Sequence, residues 1–236
     1  TSIGRKKIKE LSHNHIDHFI AVTNKAKEAL IKEGVSKSRI SVIPMGVDLH
    51  RFSPEYKKEN NDITRVLFVG RLEPEKGVNE LLQAFLRLKN EASKVELTVI
   101  GSGSMSKEIK QSGVKIKSVS YSKIHKEYQK ADIFCLLSKS TKTWQEQYGM
   151  VLVEAMASGL PIITTRSGAI PEVCGPVAIY VEQSDVTDTY RQLKKLVKNK
   201  QLRRKMGKKS RKRAQSHFDH KKIAEKINHL YHKIKS

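Results

Sequence analysis

Cysteine, tryptophan, aromatic residues in general and acid are all in short supply in this chain. Its 236 residues hold two cysteines, Cys135 within an apolar run and Cys174 beside Gly175, which is no disulfide framework and fits a reducing compartment. No apolar run approaches the roughly 18 residues of a membrane span, and no signal peptide is visible. Aromatic residues make up 6% of the chain, and none interleaves with basic residues in an RNA-binding pattern, which argues against a nucleic-acid binder. Acids are outnumbered, 24 Asp and Glu against 46 Lys and Arg, for a formal charge of +22. That imbalance asks for a partner of opposite sign: nucleic acid, an anionic membrane surface or a phosphorylated substrate.

What is present is a repeating pattern. At 38% hydrophobic, the chain can bury one large domain, or one domain plus a fragment. Short β-branched runs read as strands at 19–23, 40–44, 65–70, 96–101, 115–120, 132–137, 161–165 and 178–182. Between them lie helical patterns, at 78–89, more weakly at 121–131, and at 150–158 as a short buried helix stopped by Gly159 and Pro161. Strand then helix, repeated, predicts an α/β fold: a Rossmann-like, doubly wound parallel sheet with helices on both faces. Ligands of such sheets bind at the carboxyl ends of the strands, here the loops after Gly70, Gly101, Ser120 and Leu137.

Three of the segments around those ends are chemically suggestive. "FVGRLEPEKG" (68–77) carries Arg71 and Lys76 between a strand and a helix, cations suited to a diphosphate or simply solvated. "GSGSMS" (101–106) lacks the third glycine of a dinucleotide fingerprint, so its glycines read as turn residues. "EQYGMVLVEAMASGLPIITT" (146–165) places Glu146 just outside a helix that Gly149 opens, and Glu154 inside it. The amides of Met150 and Val151 would then be unpaired donors at a positive helix end. A buried Glu154 needs a partner, either a structural lysine or the hydroxyls of a ligand. Phosphates for the amides and cations, with hydroxyls for the carboxylates, describe a nucleotide sugar.

"GRLEPEKG", "VIGSG", "ADIFCLLS" and "EQYGMVLVEAMASGLPIITT", in that order, resemble the carboxyl-terminal donor domain of retaining GT-B glycosyltransferases of family 4. The segment 18–54 is similar to the stretch that joins the two domains there. The resemblance implies transfer of a sugar from a nucleotide-diphosphate sugar to an acceptor with retention of configuration, without a metal or other cofactor. It implies that Arg71 and Lys76 hold the diphosphate and assist its departure, and that amides at Gly149, Met150 and Val151 complete the cradle. Glu154 would bond the ribose, Glu146 the transferred sugar, and the segment at Val119 the base. It also implies a division into 1–40, the tail of an acceptor domain and linker; 41–216, the nucleotide-sugar domain; and 217–236, a closing helix that crosses back. A complete acceptor domain is not in this sequence. Thr1 opens it without methionine, so the expectation is a piece of a longer enzyme that binds donor and transfers sugar poorly alone. A noncatalytic nucleotide-sugar module working with a partner domain is the alternative.

The basic excess gathers in "RRKMGKKSRKR" (203–213) and in the opening "TSIGRKKIK". Such surfaces would hold a cytoplasmic enzyme with a lipid-linked or phosphorylated acceptor at an anionic membrane, or they are solvated lysine-rich helix. The histidines of "HNHIDH" (13–18), with His217 and His220 and with His229 and His232, lack the cysteine or carboxylate company of a metal site.

Overall fold

The computed structural model describes residue 10 and residues 15–55, 63–91 and 94–235. The opening basic stretch 1–9 and His13 lie outside the described residues. The chain divides into two compact units, Thr1–Gly46 with His217–Ser236, and Val47–Ser216.

In the first unit β1 (Phe19–Ala21) pairs in parallel with β2 (Ile40–Val42), and α1 (Asn24–Lys32) connects them. Thr23 caps α1, its hydroxyl accepting from the amide of Ala26 at 3.0 Å. Ala21, Val35 and Ile40 form a small core with Phe19, Ala26 and Leu30 packed on it. The final helix of the unit spans His220–Lys235.

The second unit is built on six parallel strands: β3 (Thr64–Val69), β4 (Val95–Ile100), β5 (Lys115–Lys117), β6 (Ile133–Leu136), β7 (Ile162–Thr164) and β8 (Ile179–Tyr180). Their order across the sheet is β5-β4-β3-β6-β7-β8. Counted from the first strand of this sheet, that is the 3-2-1-4-5-6 order of a dinucleotide-type α/β fold, whose direction of winding reverses between β3 and β6. The central strands are buried on both faces, which is why β6 reads as the unbroken apolar run Ile133, Phe134, Cys135, Leu136 rather than an alternating one. β3, β4, β6 and β7 follow the sequence pattern to within one residue at each end, whereas β5 ends at Lys117 and leaves Ser118 to Ser120 outside the ladder, and β8 keeps only Ile179–Tyr180 of the run 178–182.

The helices are α2 (Val78–Glu91), α3 (Ser106–Gln111), α4 (Ile124–Lys130), α5 (Met150–Ala157), α6 (Ile170–Cys174), α7 (Val186–Lys198) and α8 (Lys200–His217). On α2, Val78, Leu81, Leu82, Phe85 and Leu88 recur at helical spacing and are buried. Gly77, ahead of it, has a φ of 68°, and a Cβ there would lie 2.0 Å from the carbonyl oxygen of Leu137. Only glycine lets the loop after β3 close onto the end of β6.

The basic run 203–213 separates into two parts. Arg203 donates to the carbonyls of Leu196 and Val197 at the end of α7, Arg211 to those of Leu49, Phe52 and Ala157, and Arg213 to those of Glu172 and Val173. Leu196, Val197, Ala157, Glu172 and Val173 stand at helix carboxyl ends, where the backbone has no partner of its own and cations are favoured, while Leu49 and Phe52 lie in a turn outside the helices. Arg204, Lys205, Lys208, Lys209 and Lys212 stay exposed as one stripe along α8. Three arginines expected on a positive surface thus belong to the architecture.

Candidate functional site

At the reversal point the loops after β3 and β6, Gly70–Gly77 and Ser138–Gly149, come together. Lys139 donates its amide to the carbonyl of Glu75 at 2.7 Å, which ties the two loops together. Lys76 then reaches across: its ammonium lies 2.7 Å from Glu146 Oε2, and both side chains are largely buried, at 14% and 8% exposed. Ser138, the first residue after Leu137, donates its hydroxyl to the same Oε2 at 2.9 Å. Trp144 lies beside them, with the Lys76 ammonium 4.6 Å from the ring centroid.

Glu146 is fixed from the other side by the loop after β7. Its carbonyl accepts from the amide of Ala169 at 2.9 Å, and its amide donates to Ser167 Oγ at 3.4 Å. Gly168, at φ 56°, would put a Cβ 1.9 Å from the Glu146 carbonyl oxygen, so this approach requires glycine as well. A second buried pair, Lys139 Nζ and Glu80 Oε1 at 2.7 Å, joins the start of α2 to the loop after β6.

Three residues past Glu146, Gly149 precedes α5 in the left-handed region, with φ 81°. No side chain caps the helix, so the amides of Met150 and Val151 stand at its positive end as the sequence suggested. Glu154, on the second turn, is 4% exposed. Its partner is not a lysine: the Tyr128 hydroxyl donates to Glu154 Oε2 at 2.7 Å. Burial pushes the Glu154 carboxyl above the usual range, against the Tyr128 bond and the nearby positive charge of Arg51. The Tyr128 hydroxyl, wholly buried beside that acid, is pushed up too, chiefly by burial.

Aromatic packing explains why Tyr128 is there. Its ring packs edge-on to Phe52, 5.7 Å away, and at a tilt to Phe134, 5.6 Å away. Arg51 lies 4.4 Å over the Tyr121 ring and donates to the Tyr121 carbonyl. Tyr121 is 62% exposed and close enough for Glu154 to raise its hydroxyl pKa, after burial as the first cause. Val119 is half-buried in the same segment past β5.

The residues singled out from sequence therefore fall into groups. Lys76 and Glu146 meet in one ion pair, Gly149, Met150 and Val151 form the adjoining helix start, and Glu154 lies one turn further in. Arg71 sits on the same loop as Lys76, but its guanidinium pairs with Glu75 at 2.9 Å and its side chain is 58% exposed. Sequence reasoning missed Ser138, Tyr128, Trp144 and Arg51. Ser138 carried a signal, being the first polar residue after a buried strand, and Trp144 is the one tryptophan of the chain.

Among the described residues no group of three or more His, Cys, Asp or Glu is placed to hold a metal ion. His18 Nε2 is hydrogen-bonded to Ser41 Oγ at 2.9 Å. Both cysteines are buried thiols, Cys174 pushed up to about 12 by burial. No helix among the described residues is long and apolar enough to cross a membrane.

Comparison with known proteins gives this geometry a context. The family model of glycosyl transferases group 1 matches residues 51–213, and that of Glycosyltransferase Family 4 matches residues 2–51. A capsular polysaccharide biosynthesis glycosyltransferase, CapM of Staphylococcus aureus, is 29% identical over 90% of this chain and 60% of its own length. The chain spans roughly half the length of the curated relatives it matches, 60% and 52% in two cases. Sucrose-phosphate synthase from Thermosynechococcus elongatus superposes with a TM-score of 0.82 at 22% identity, over 99% of this chain and 62% of that one. HepE of Anabaena, in a complex with UDP and glucose, superposes with a TM-score of 0.77 at 18% identity, over 96% of this chain and 67% of that one. The expected GT-B type of α/β architecture is the one found.

Proposed function

Because this chain belongs to the glycosyl transferases group 1 family, we propose that it is the donor-binding half of a retaining glycosyltransferase that takes a nucleotide-diphosphate sugar. The observation that carries the reading is the junction of Lys76, Glu146 and Ser138 with the uncapped start of α5, at the reversal point of the sheet. In this reading the diphosphate lies against the Lys76 ammonium and the amides at Met150 and Val151. Arg71, itself exposed, joins them by leaving Glu75, an i,i+4 pairing worth little at the surface. Placed donors of this kind favour negative charge as it develops on the departing nucleotide, contributing about 3 kcal/mol apiece in a dry site. Glu154 would accept from ribose hydroxyls and Glu146 from the transferred sugar, whose anomeric carbon passes through an oxocarbenium-like state. Support for the sugar donor also comes from HepE, a protein of this fold that binds UDP and glucose. Transfer to an acceptor is expected to need the further length that the relatives carry.

Calorimetric titration with UDP, GDP and ADP sugars and with the corresponding free diphosphates tests the reading. One of the sugars should bind, and Glu146→Ala should lower its affinity about tenfold more than it lowers that of the free diphosphate, the scale of one charge-assisted hydrogen bond. Equal loss for both ligands would count against the sugar role of Glu146.

The exposed stripe of α8 supports a second, separate proposal: peripheral attachment of a cytoplasmic enzyme to an anionic membrane. Thirteen Lys and Arg and no acid lie between Asp188 and Asp219, and cations near such a surface contribute about 1 kcal/mol each. Cosedimentation with phosphatidylserine vesicles should fall when Lys205, Lys208, Lys209 and Lys212 are changed to Gln, and should be unchanged if the stripe is only solvated.

A further inference from the structure

We propose that Trp144 is a positioning residue for Lys76, holding the ammonium at the point where a diphosphate would meet it; this rests on the donor-site reading above. A lysine ammonium is a rotatable point charge with three N–H donors on a four-carbon stem, and by itself it is a poorly placed anion ligand. Here two protein groups constrain it. One N–H is directed to Glu146 Oε2 at 2.7 Å, and the face of the Trp144 ring stands 4.6 Å away. Among the described residues no further acceptor bonds this ammonium, so a donor remains for an anion.

The backbone that carries the ring is itself held. The amide of Trp144 donates to Thr141 Oγ1 at 3.0 Å, and its carbonyl accepts from the Thr141 amide at 2.7 Å, which closes a tight turn over Thr141–Trp144. Loop geometry thus fixes the point from which the ring projects, the ring restrains the ammonium, and Glu146 sets its direction. The Glu146 bond alone leaves the ammonium able to swing around the carboxylate. A π face on a second side removes that freedom before any ligand arrives, which is where preorganised affinity comes from.

Inorganic pyrophosphate tests this without a choice of base or sugar. Trp144→Leu should weaken its binding about fivefold, the scale of one partly buried cation–π contact, while Trp144→Phe, which keeps a π face, should stay within about twofold. In a Lys76→Met background Trp144→Leu should have no further effect. Equal losses in the Leu and Phe variants, or a Leu effect that persists without Lys76, overturn the positioning role. The native protein offers a check that needs no folded Trp144 variant, because Trp144 is the single tryptophan. Its fluorescence should respond to pyrophosphate, and the response should vanish in Lys76→Met; a silent signal on saturation counts against the proposal. Full pyrophosphate affinity in Lys76→Met would overturn the donor reading together with this one. Loss in Lys76→Met with native affinity in Trp144→Leu would overturn the positioning role alone.

Discussion

Glu146 and Glu154 come from one short stretch, with seven residues between them, and are about equally hidden, at 7% and 4% exposed. Their surroundings differ in kind. Glu146 sits where two loops meet, against a lysine ammonium and a serine hydroxyl. Glu154 sits on a helix, against the hydroxyl of a tyrosine packed among aromatic rings. A carboxylate beside a cation is compensated as an ion, whereas one beside a neutral donor is compensated only as a hydrogen-bond acceptor, and burial pushes its pKa up. The first acid is built to organise charge at the mouth of the sheet. The second is suited to accepting from neutral hydroxyls.

The largest expected effect comes from breaking the ionic side of this contrast. Lys76→Met leaves Glu146 buried without its cation and should cost about 3 kcal/mol in urea unfolding, with much of the loss recovered by adding Glu146→Gln. A double variant no more stable than the single one would mean that the pair is not what compensates Glu146. Next, Tyr128→Phe removes the hydroxyl that donates to Glu154 while preserving the packed ring. It should cost about 1–2 kcal/mol, less than losing the lysine. A cost equal to that of Lys76→Met would erase the distinction between the two acids.

The smallest effect on stability, and the most diagnostic, is expected from Glu154→Gln, whose amide oxygen still accepts from Tyr128. The sign follows from the raised carboxyl. Below the ordinary value of 4.5 the acid is protonated in both states and contributes no pH dependence. As pH rises past 4.5 the unfolded chain ionises first, so it binds fewer protons and the folded state loses relative stability. The loss ends once the folded carboxyl ionises at its higher value. Glu154→Gln should therefore match the native protein in acid and equal or exceed it in stability at neutral pH, yet bind a nucleotide sugar about tenfold more weakly. Urea midpoints across that range, with calorimetry at neutral pH, check both halves. A variant that loses stability only at neutral pH would reverse the assignment.

Much of this architecture was legible beforehand because it rests on local pattern. The runs at 65–70, 96–101 and 132–137 became β3, β4 and β6, and Val78 did open the helix after the Arg71 and Lys76 loop. Strand ends were less clear where pairing decides them: Val119 lies past β5 because the ladder with β4 stops at Lys117. Among the helices, α1, α3, α6 and α7 were not singled out. Two of them, α3 and α6, are only six and five residues long, and α1 and α7 open at the caps Thr23 and Asp185, signals that went unread.

By itself the sequence determined the alternation of strand and helix, the parallel sheet that follows, the loops in which Lys76 and Glu146 had to lie and the helix that carries Glu154. These depend on periodicities of two and 3.6 residues, which neighbouring residues carry between them. Only the tertiary structure decided who meets whom. Lys76 found an acid 70 positions away, Glu154 took a tyrosine although lysines abound, and three arginines of a basic run turned inward to helix ends. Long polar side chains have many candidate partners along a chain, and the strand order of the sheet selects among them by bringing a few within a hydrogen bond's reach.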